Sequence, residues 1–329
     1  MRLTAAAAKP HRAFVFLQNR IRSAVYLFIT RLGLSRLIAL VLLFTFMVHR
    51  SISSYMSHRP LMLAPIVSVE RKCPAPSYQT LSNEATTKTE KICLTTLTDE
   101  KSKSMATKYL GWRNFDGLLQ LTWKNKADYA AKHGYYLFDE SDMLDKSRPP
   151  SWSKIRATQR LLQEENCTWV FWLDADTVIM NSDKRIEDFL PADSTKDLLM
   201  SRDNGGGYNA GVWLVRDTAW GRDFLQTWWD MKSFVRPPGL SHSGDNAALK
   251  VLLANMKDFD QHVLAPARCT FNSFAKVVVP SEFEDVTSDL PRQDFYLAEA
   301  YYHKGDLLAH VAGVDNKVEI LKMLLAEAQ

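Results

Sequence analysis

Between residues 91 and 215 the chain alternates short, wholly apolar runs with longer amphipathic stretches, and turn residues mark the changes. Lys91 to Thr96 predicts a strand, Phe115 to His133 a helix closed by Gly134, and Tyr135 to Asp139 a second strand. Ser151 is placed to cap a helix that carries Lys154 and Arg156. Trp169 to Leu173 is apolar at every position and too short for a helix, so it predicts a central strand covered on both faces. Leu198 to Ser201 and Gly211 to Val215 are further short apolar runs bounded by turn residues. Such alternation predicts an α/β fold, a single mostly parallel sheet flanked by helices.

The pattern differs near the N-terminus. Leu37 to Val48 is apolar but for Thr45, and extending back across Arg36 and Ser35 to Leu32 gives 17 residues. As a helix that run is about 25 Å long, short but sufficient for a thin early-secretory membrane. Arg2, Lys9, Arg12, Arg20, Arg22 and Arg31 precede it, which places the N-terminus in the cytosol. The expected organisation is a basic cytosolic tail (1–31), a transmembrane signal-anchor (32–48), a stem rich in Pro, Ser and Thr (49–89) and a lumenal domain (90–329), a type II protein of the Golgi or endoplasmic reticulum membrane. A cleaved organellar transit peptide also fits an acid-free, Arg-rich start.

The anchor changes how charge is interpreted. Nine Arg and Lys and no Asp or Glu precede Glu70, so the net +4 of the chain becomes −5 for residues 70–329. The folded region therefore offers no overall basic field for nucleic acid. All four cysteines, Cys73, Cys93, Cys167 and Cys269, follow the anchor with a spacing that suits no zinc cluster. In a lumenal compartment they form one or two disulfides, with three full pairings open, or they remain buried thiols. Asn166, Cys167 and Thr168 form a glycosylation sequon just before the central strand.

Asp174 and Asp176 emerge at the carboxyl end of that strand, where open α/β sheets bind ligands. Residues i and i+2 of an extended backbone point the same way, so the two carboxylates can converge on one hard cation. By themselves they suit a helix cap or a turn equally well.

Wider motifs change that balance. The window PPSWSKIRATQRLL (Pro149 to Leu162) followed by WVFWLDADTVIMN (Trp169 to Asn181) resembles the metal-binding core of glycosyltransferase family 34, which includes fungal α-galactosyl- and α-mannosyltransferases and plant xyloglucan xylosyltransferases. Tyr208 to Leu225, Ser243 to Leu249 and Ala309 to Gly313 fit later motifs in the family's order. The resemblance implies the single-domain GT-A fold and a retaining, divalent-metal-dependent transferase. Its donor would be a nucleotide-diphosphate sugar (UDP-galactose, UDP-xylose or GDP-mannose) and its acceptor a glycan or polysaccharide.

Residue by residue, the resemblance makes Asp174, Asp176 and His310 the ligands of Mn2+ or Mg2+. It places Lys154 and Lys317 on the donor diphosphate and Asp174, Gly211 and Gly313 in the donor site, with Gly313 letting backbone approach the diphosphate. Asn209, Asp245 and Asn246 would lie beside the donor sugar. Val314 and Asp315 depart from the family, where a cysteine and a basic residue are common. Trp152, Trp213, Trp220, Trp228 and Trp229 are core or acceptor platforms. The resemblance also leaves room for homo- or hetero-oligomers with other glycosyltransferases. Two alternatives stand beside it: a family 8-like transferase, which also combines Asp-x-Asp with an asparagine-glycine motif, and a catalytically inactive GT-A protein that binds or scaffolds.

Overall fold

The computed structural model describes residues 73–83, 90–99, 115–193, 195–203, 206–237, 243–275, 301–313 and 317–328, with short pieces at 43, 45–47, 62–63 and 277–278. The chain divides into two compact units, residues 1–59 and 60–329. In the first, the four described residues are helical. Among the described residues no helix is long and apolar enough to cross a membrane. The span expected at 32–48 lies, but for those four residues, outside the described ones.

The described part of the second unit is built on a six-stranded sheet. In chain order its elements are β1 (Ile92–Thr96), α1 (Leu118–His133), β2 (Tyr136–Asp139), α2 (Ser153–Gln163), β3 (Trp169–Leu173), β4 (Thr177–Ile179), β5 (Leu198–Arg202), β6 (Tyr208–Arg216), α3 (Ala219–Asp230), α4 (Asp245–Ala254), β7 (Val263–Leu264), β8 (Ser273–Phe274), β9 (Leu308–His310) and α5 (Lys317–Glu327). The main sheet runs β2-β1-β3-β6-β5-β7, and β4-β9-β8 form a second, three-stranded sheet.

The expected α/β class holds, and five of the six strands of the main sheet run the same way; the sheet is mixed because one strand, β6, is reversed. β1 pairs in parallel with β2 and β3, and β5 with β7, whereas β6 is antiparallel to both β3 and β5. Apolar runs report burial on both faces and carry no information on strand direction, which is why the sequence missed the reversal.

Alternation along the strands divides the core. Val170, Trp172, Trp213 and Val215 pack with α2, α3 and α4 on one face. Trp169, Phe171, Leu173, Val212 and Leu214 pack on the other face with Tyr129 of α1 and with Phe189 and Phe271. A third cluster joins α1 and α5 to the small sheet through Leu118, Val178, Ala309, Ile320 and Leu324.

Local signals fared unevenly. Gly134 ends α1 in the left-handed region at φ 73°, its N–H donating to Ala130 O. Ser151 does not cap α2. A 3-10 turn, Pro150–Trp152, leads directly into the helix, and the Ser151 hydroxyl donates instead to Asp245 Oδ1 at 3.0 Å. The cysteines pair as Cys73–Cys269 and Cys93–Cys167. Part of the expected stem is folded: Tyr78 donates to Phe189 O, Leu81 N to Leu190 O and Ala192 N to Gln79 O. Asn166 is exposed, with φ 52°.

Candidate active site

Two registers assemble the site. The antiparallel pairing of β3 and β6 extends past Leu173, so that Asp174 N donates to Gly211 O at 2.8 Å. Asp174 thus stands beside Gly211. In the small sheet, β9 sets His310 opposite Thr177, and Val311 N donates to Asp176 O at 2.9 Å. His310, 134 residues downstream, is thereby brought to Asp176 by a three-residue strand.

Each of Asp174, Asp176 and His310 offers one ligand atom, and these atoms lie within 4.8 Å of one another. His310 is buried and its Nδ1 lies 3.0 Å from Asn272 Oδ1. Asn272 Nδ2 donates to Ser201 Oγ (2.8 Å) and Asn209 Oδ1 (3.1 Å), so its Oδ1 faces His310 and the histidine carries its proton on Nδ1. The Nε2 lone pair is left facing Asp176 Oδ1 at 3.4 Å.

Both lysines that the resemblance put on the diphosphate are spent on the carboxylates. Lys154, almost wholly buried, donates to Asp174 Oδ1 at 3.0 Å and to Ala210 O at 2.9 Å, with Asp245 Oδ2 3.5 Å away. Burial alone would lower its pKa, but Asp174 and Asp245 hold the ammonium above its usual value. Lys317 donates to Asp176 Oδ2 and to Val311 O. Burial would raise the Asp176 carboxyl, yet the Lys317 ammonium leads the groups that hold it well below the usual range. Each lysine occupies one oxygen of its aspartate, which leaves Asp174 Oδ2 and Asp176 Oδ1 for a cation.

Gly211 completes the cradle. A Cβ there would lie 2.4 Å from His310 Cε1, 2.8 Å from Asp174 Oδ2 and 3.0 Å from His310 Nε2. Two carboxylate oxygens and a neutral imidazole around a space that a methyl group would fill suit a divalent cation such as Mn2+ or Mg2+.

Beside the ligands runs a polar strip. Asn209, nearly buried, accepts Gly211 N at 3.0 Å. Asn246 accepts Ala210 N at 3.1 Å and donates to Asp203 Oδ2 at 3.3 Å, and Lys250 also reaches that oxygen, at 2.9 Å. Asp245 does not cap α4; Gly244, at φ 97°, does. The Asp245 carboxylate instead receives the hydroxyls of Ser151 and Ser243. Gly313 turns the chain at φ 74° just after β9 and is exposed. Trp152, Trp213 and Trp228 are fully buried core residues.

Sequence reasoning missed Asp203, Asn272 and Lys126. Asp203 and Asn272 lie in loops with no periodic signal, although Asp203 follows a predicted strand and could have been weighed on that ground. Lys126 reads as a solvated helix residue, yet it is fully buried and donates to Thr177 O at 2.7 Å. Burial pushes its pKa down to about 7, against the pull of Asp176 and Asp174.

Lys126 carries a stability prediction. In the unfolded chain its proton stays on to the ordinary value near 10.5, so between about 7 and 10.5 the unfolded state binds more protons and folding is favoured as pH rises. With chelator present, wild type should gain roughly 2 kcal/mol on Lys126→Met between pH 7 and pH 9 in urea unfolding. A difference independent of pH would mean that this lysine is not held neutral.

The sequence profile of the galactosyl transferase GMA12/MNN10 family matches residues 88–204 and 189–319. The chain belongs to that family. It is the family expected from the motifs, and the matched span of this member contains Asp174, Asp176 and His310. Among similar proteins are Glycosyltransferase 6 of Arabidopsis thaliana, 26% identical over 123 residues (35% of this chain, 28% of the relative), and the Probable alpha-1,6-mannosyltransferase MNN10 of Saccharomyces cerevisiae, 25% identical over 180 residues (44% and 46%). The Probable glycosyltransferase 6 of Oryza sativa subsp. indica is 32% identical over 124 residues (34% and 25%). The matches thus span less than half the length of these curated relatives. A crystal structure of a glycosyltransferase involved in the glycosylation of the major capsid of PBCV-1 superimposes with a TM-score of 0.46 at 15% identity, over 72% of this chain and 99% of that one.

Proposed function

We propose that the chain is a retaining, divalent-metal-dependent glycosyltransferase of the GT-A type that moves a hexose or pentose from a nucleotide-diphosphate sugar to a glycan or polysaccharide. The observation that carries this is the convergence of Asp174, Asp176 and His310 around the space kept open by Gly211. A divalent cation held there supplies positive charge against the leaving diphosphate.

The chain's own groups do the rest. Lys154 and Lys317 fix one oxygen of each aspartate and so set the direction of the other. Asn209, Asn246 and Asp203 form a preorganised polar strip that stabilises an oxocarbenium-like sugar without reorganising. Two serine hydroxyls share Asp245 Oδ1 and the Lys154 ammonium stands 3.5 Å from Oδ2, which stabilises the carboxylate and weakens it as a nucleophile. Front-face return therefore fits better than double displacement: the departing phosphate takes the acceptor's proton. A cavity of about 540 Å3 beyond the carboxyl ends of β1 and β2, lined by Thr98, Asp99, Gln120, Trp123 and Asp139 among others, gives the nucleoside a place. The anchor at 32–48 would put this domain in the Golgi or endoplasmic reticulum lumen.

Hydrolysis and transfer assays with Mn2+ and a panel of UDP-galactose, UDP-xylose and GDP-mannose test the reading. Asp176→Asn should lose metal-dependent donor binding by calorimetry while still folding; undiminished binding would refute the metal assignment. Asn246→Ala should lower kcat by roughly 10 to 1,000-fold with donor affinity little changed. Near-normal kcat would remove Asn246 from the reacting site.

A further inference from the structure

A second cavity, of about 520 Å3, opens between the start of α2 and the end of α3, lined by Asp145, Ser147, Arg148, Arg156, Trp229 and Lys232. It adjoins the site through one side chain, Trp152. The Arg148 guanidinium stands 5.1 Å from that ring, and the Trp152 indole N–H donates to Ser243 O at 3.0 Å, Ser243 being one of the two serines on Asp245.

The charge here is out of balance. Arg148 and Arg156 both stand over the Trp229 ring, 3.7 and 4.4 Å from its centroid, and Lys232 is exposed nearby. Among the described residues neither arginine has a carboxylate within 4.0 Å. Asp145 faces the same space and offsets part of the excess, its Oδ1 accepting the N–H and hydroxyl of Ser147, so three cations stand against the two carboxylates of Asp145 and Asp230. Asp230, at the end of α3, accepts from Gln226. Arg148 spends one N–H on Trp229 O, and Arg156 uses Nη1 on Gln159 and Gln226.

A guanidinium carries five N–H donors, so both keep unused ones. Burial pulls Arg148 below its usual value and Arg156 adds to that, against Asp145 and Asp230. Stacking on an indole offsets part of the cost of two like charges held close. An anion would relieve the remainder and take up the planar, paired donors that suit phosphate and carboxylate.

We propose that this cavity is a subsite for an anionic group, phosphate or carboxylate, carried on a sugar of the acceptor glycan. The placement on the acceptor rests on the transferase reading; the anion binding does not. Arg148 and Arg156 supply the forked donors, Trp229 holds both guanidinium planes, and Lys232 adds charge at the rim.

The test is calorimetry or ligand-observed NMR on the full chain in non-ionic detergent, with chelator and no donor, using glucose 6-phosphate, glucuronate and glucose. The charged sugars should bind and glucose should not, and the stronger of the two identifies the anion. Arg148→Gln and Arg156→Gln should each weaken binding roughly 10- to 100-fold, the scale of one lost charge-assisted hydrogen bond. Arg148→Lys, which keeps the charge and loses the fork, should fall between; it serves if a Gln variant melts early. Asp174→Ala should bind the charged sugars as wild type does, even though metal-dependent donor binding is lost, which separates this subsite from the diphosphate site. Equal binding of glucose and glucose 6-phosphate, indifference to the Arg148 and Arg156 changes, or loss in Asp174→Ala overturns the proposal.

Discussion

Adding one methyl group at position 211 should abolish metal-dependent turnover at a cost of only about 1–3 kcal/mol in stability, the scale of one overpacked contact. Gly211 does not occupy the left-handed region, so alanine meets no backbone penalty and the effect comes from space alone. The new Cβ would sit 2.4 Å from His310 Cε1 and 2.8 Å from Asp174 Oδ2, both below any ordinary contact. Neither neighbour can retreat. His310 is fixed by Asn272 and by pairing with Thr177 and Phe274, and Asp174 by Lys154 and the Trp172 indole. The methyl would also occupy the space a cation needs. Mn2+ affinity in Gly211→Ala should fall by roughly 100-fold or more, beyond what disturbing a supporting partner costs. A Mn2+ titration beside a thermal melt with chelator decides it. Normal Mn2+ affinity would show that the cation does not bind between these residues.

The second large effect is expected at Asn272, which touches no proposed substrate. Its Oδ1 holds the proton on His310 Nδ1, and its two N–H groups tie Ser201 and Asn209. Asn272→Leu keeps the volume and removes all three bonds. His310 then loses the partner that fixes its ring and tautomer, and Mn2+ affinity should drop roughly 10- to 100-fold. The buried groups left unpaired should cost about 1–3 kcal/mol of stability. Asn272→Asp keeps an acceptor for His310 and should recover much of the metal affinity but not the bonds to Ser201 and Asn209. If both variants lose stability equally and neither loses Mn2+, Asn272 serves the fold and not the site.

Gly211 was expected in the donor site, though not against His310, and Asn272 was not expected at all. Trp169 to Leu173 was legible as a buried strand because an unbroken apolar run of five fits nothing else so well, and the ends of β1, β2 and β5 fell within a residue of expectation. The small sheet was not legible. Its strands are two or three residues long, too short for a period of two to register, yet their register decides where His310 stands. Lys154 and Lys317 were recognisable as cations near the site but not as partners of Asp174 and Asp176, because burial on a helix face comes from packing and not from the lysine itself. Asn272, in the turn between a helical tetrapeptide and a two-residue strand, has neither spacing nor charge to announce it.

The Cys73–Cys269 bond reaches from the segment ahead of β1 to the helical tetrapeptide that leads into Asn272. It sets a practical limit on how the second unit can be cut out for study. A fragment begun at residue 90 would discard Cys73 and the strip at 78–82 that lies along Phe189 to Ala192, leaving Cys269 as an odd thiol three residues from the group that aims His310. A soluble version should therefore start upstream of Cys73 and be made where disulfides form; cut any later, it would measure a damaged metal site and be mistaken for an inactive enzyme.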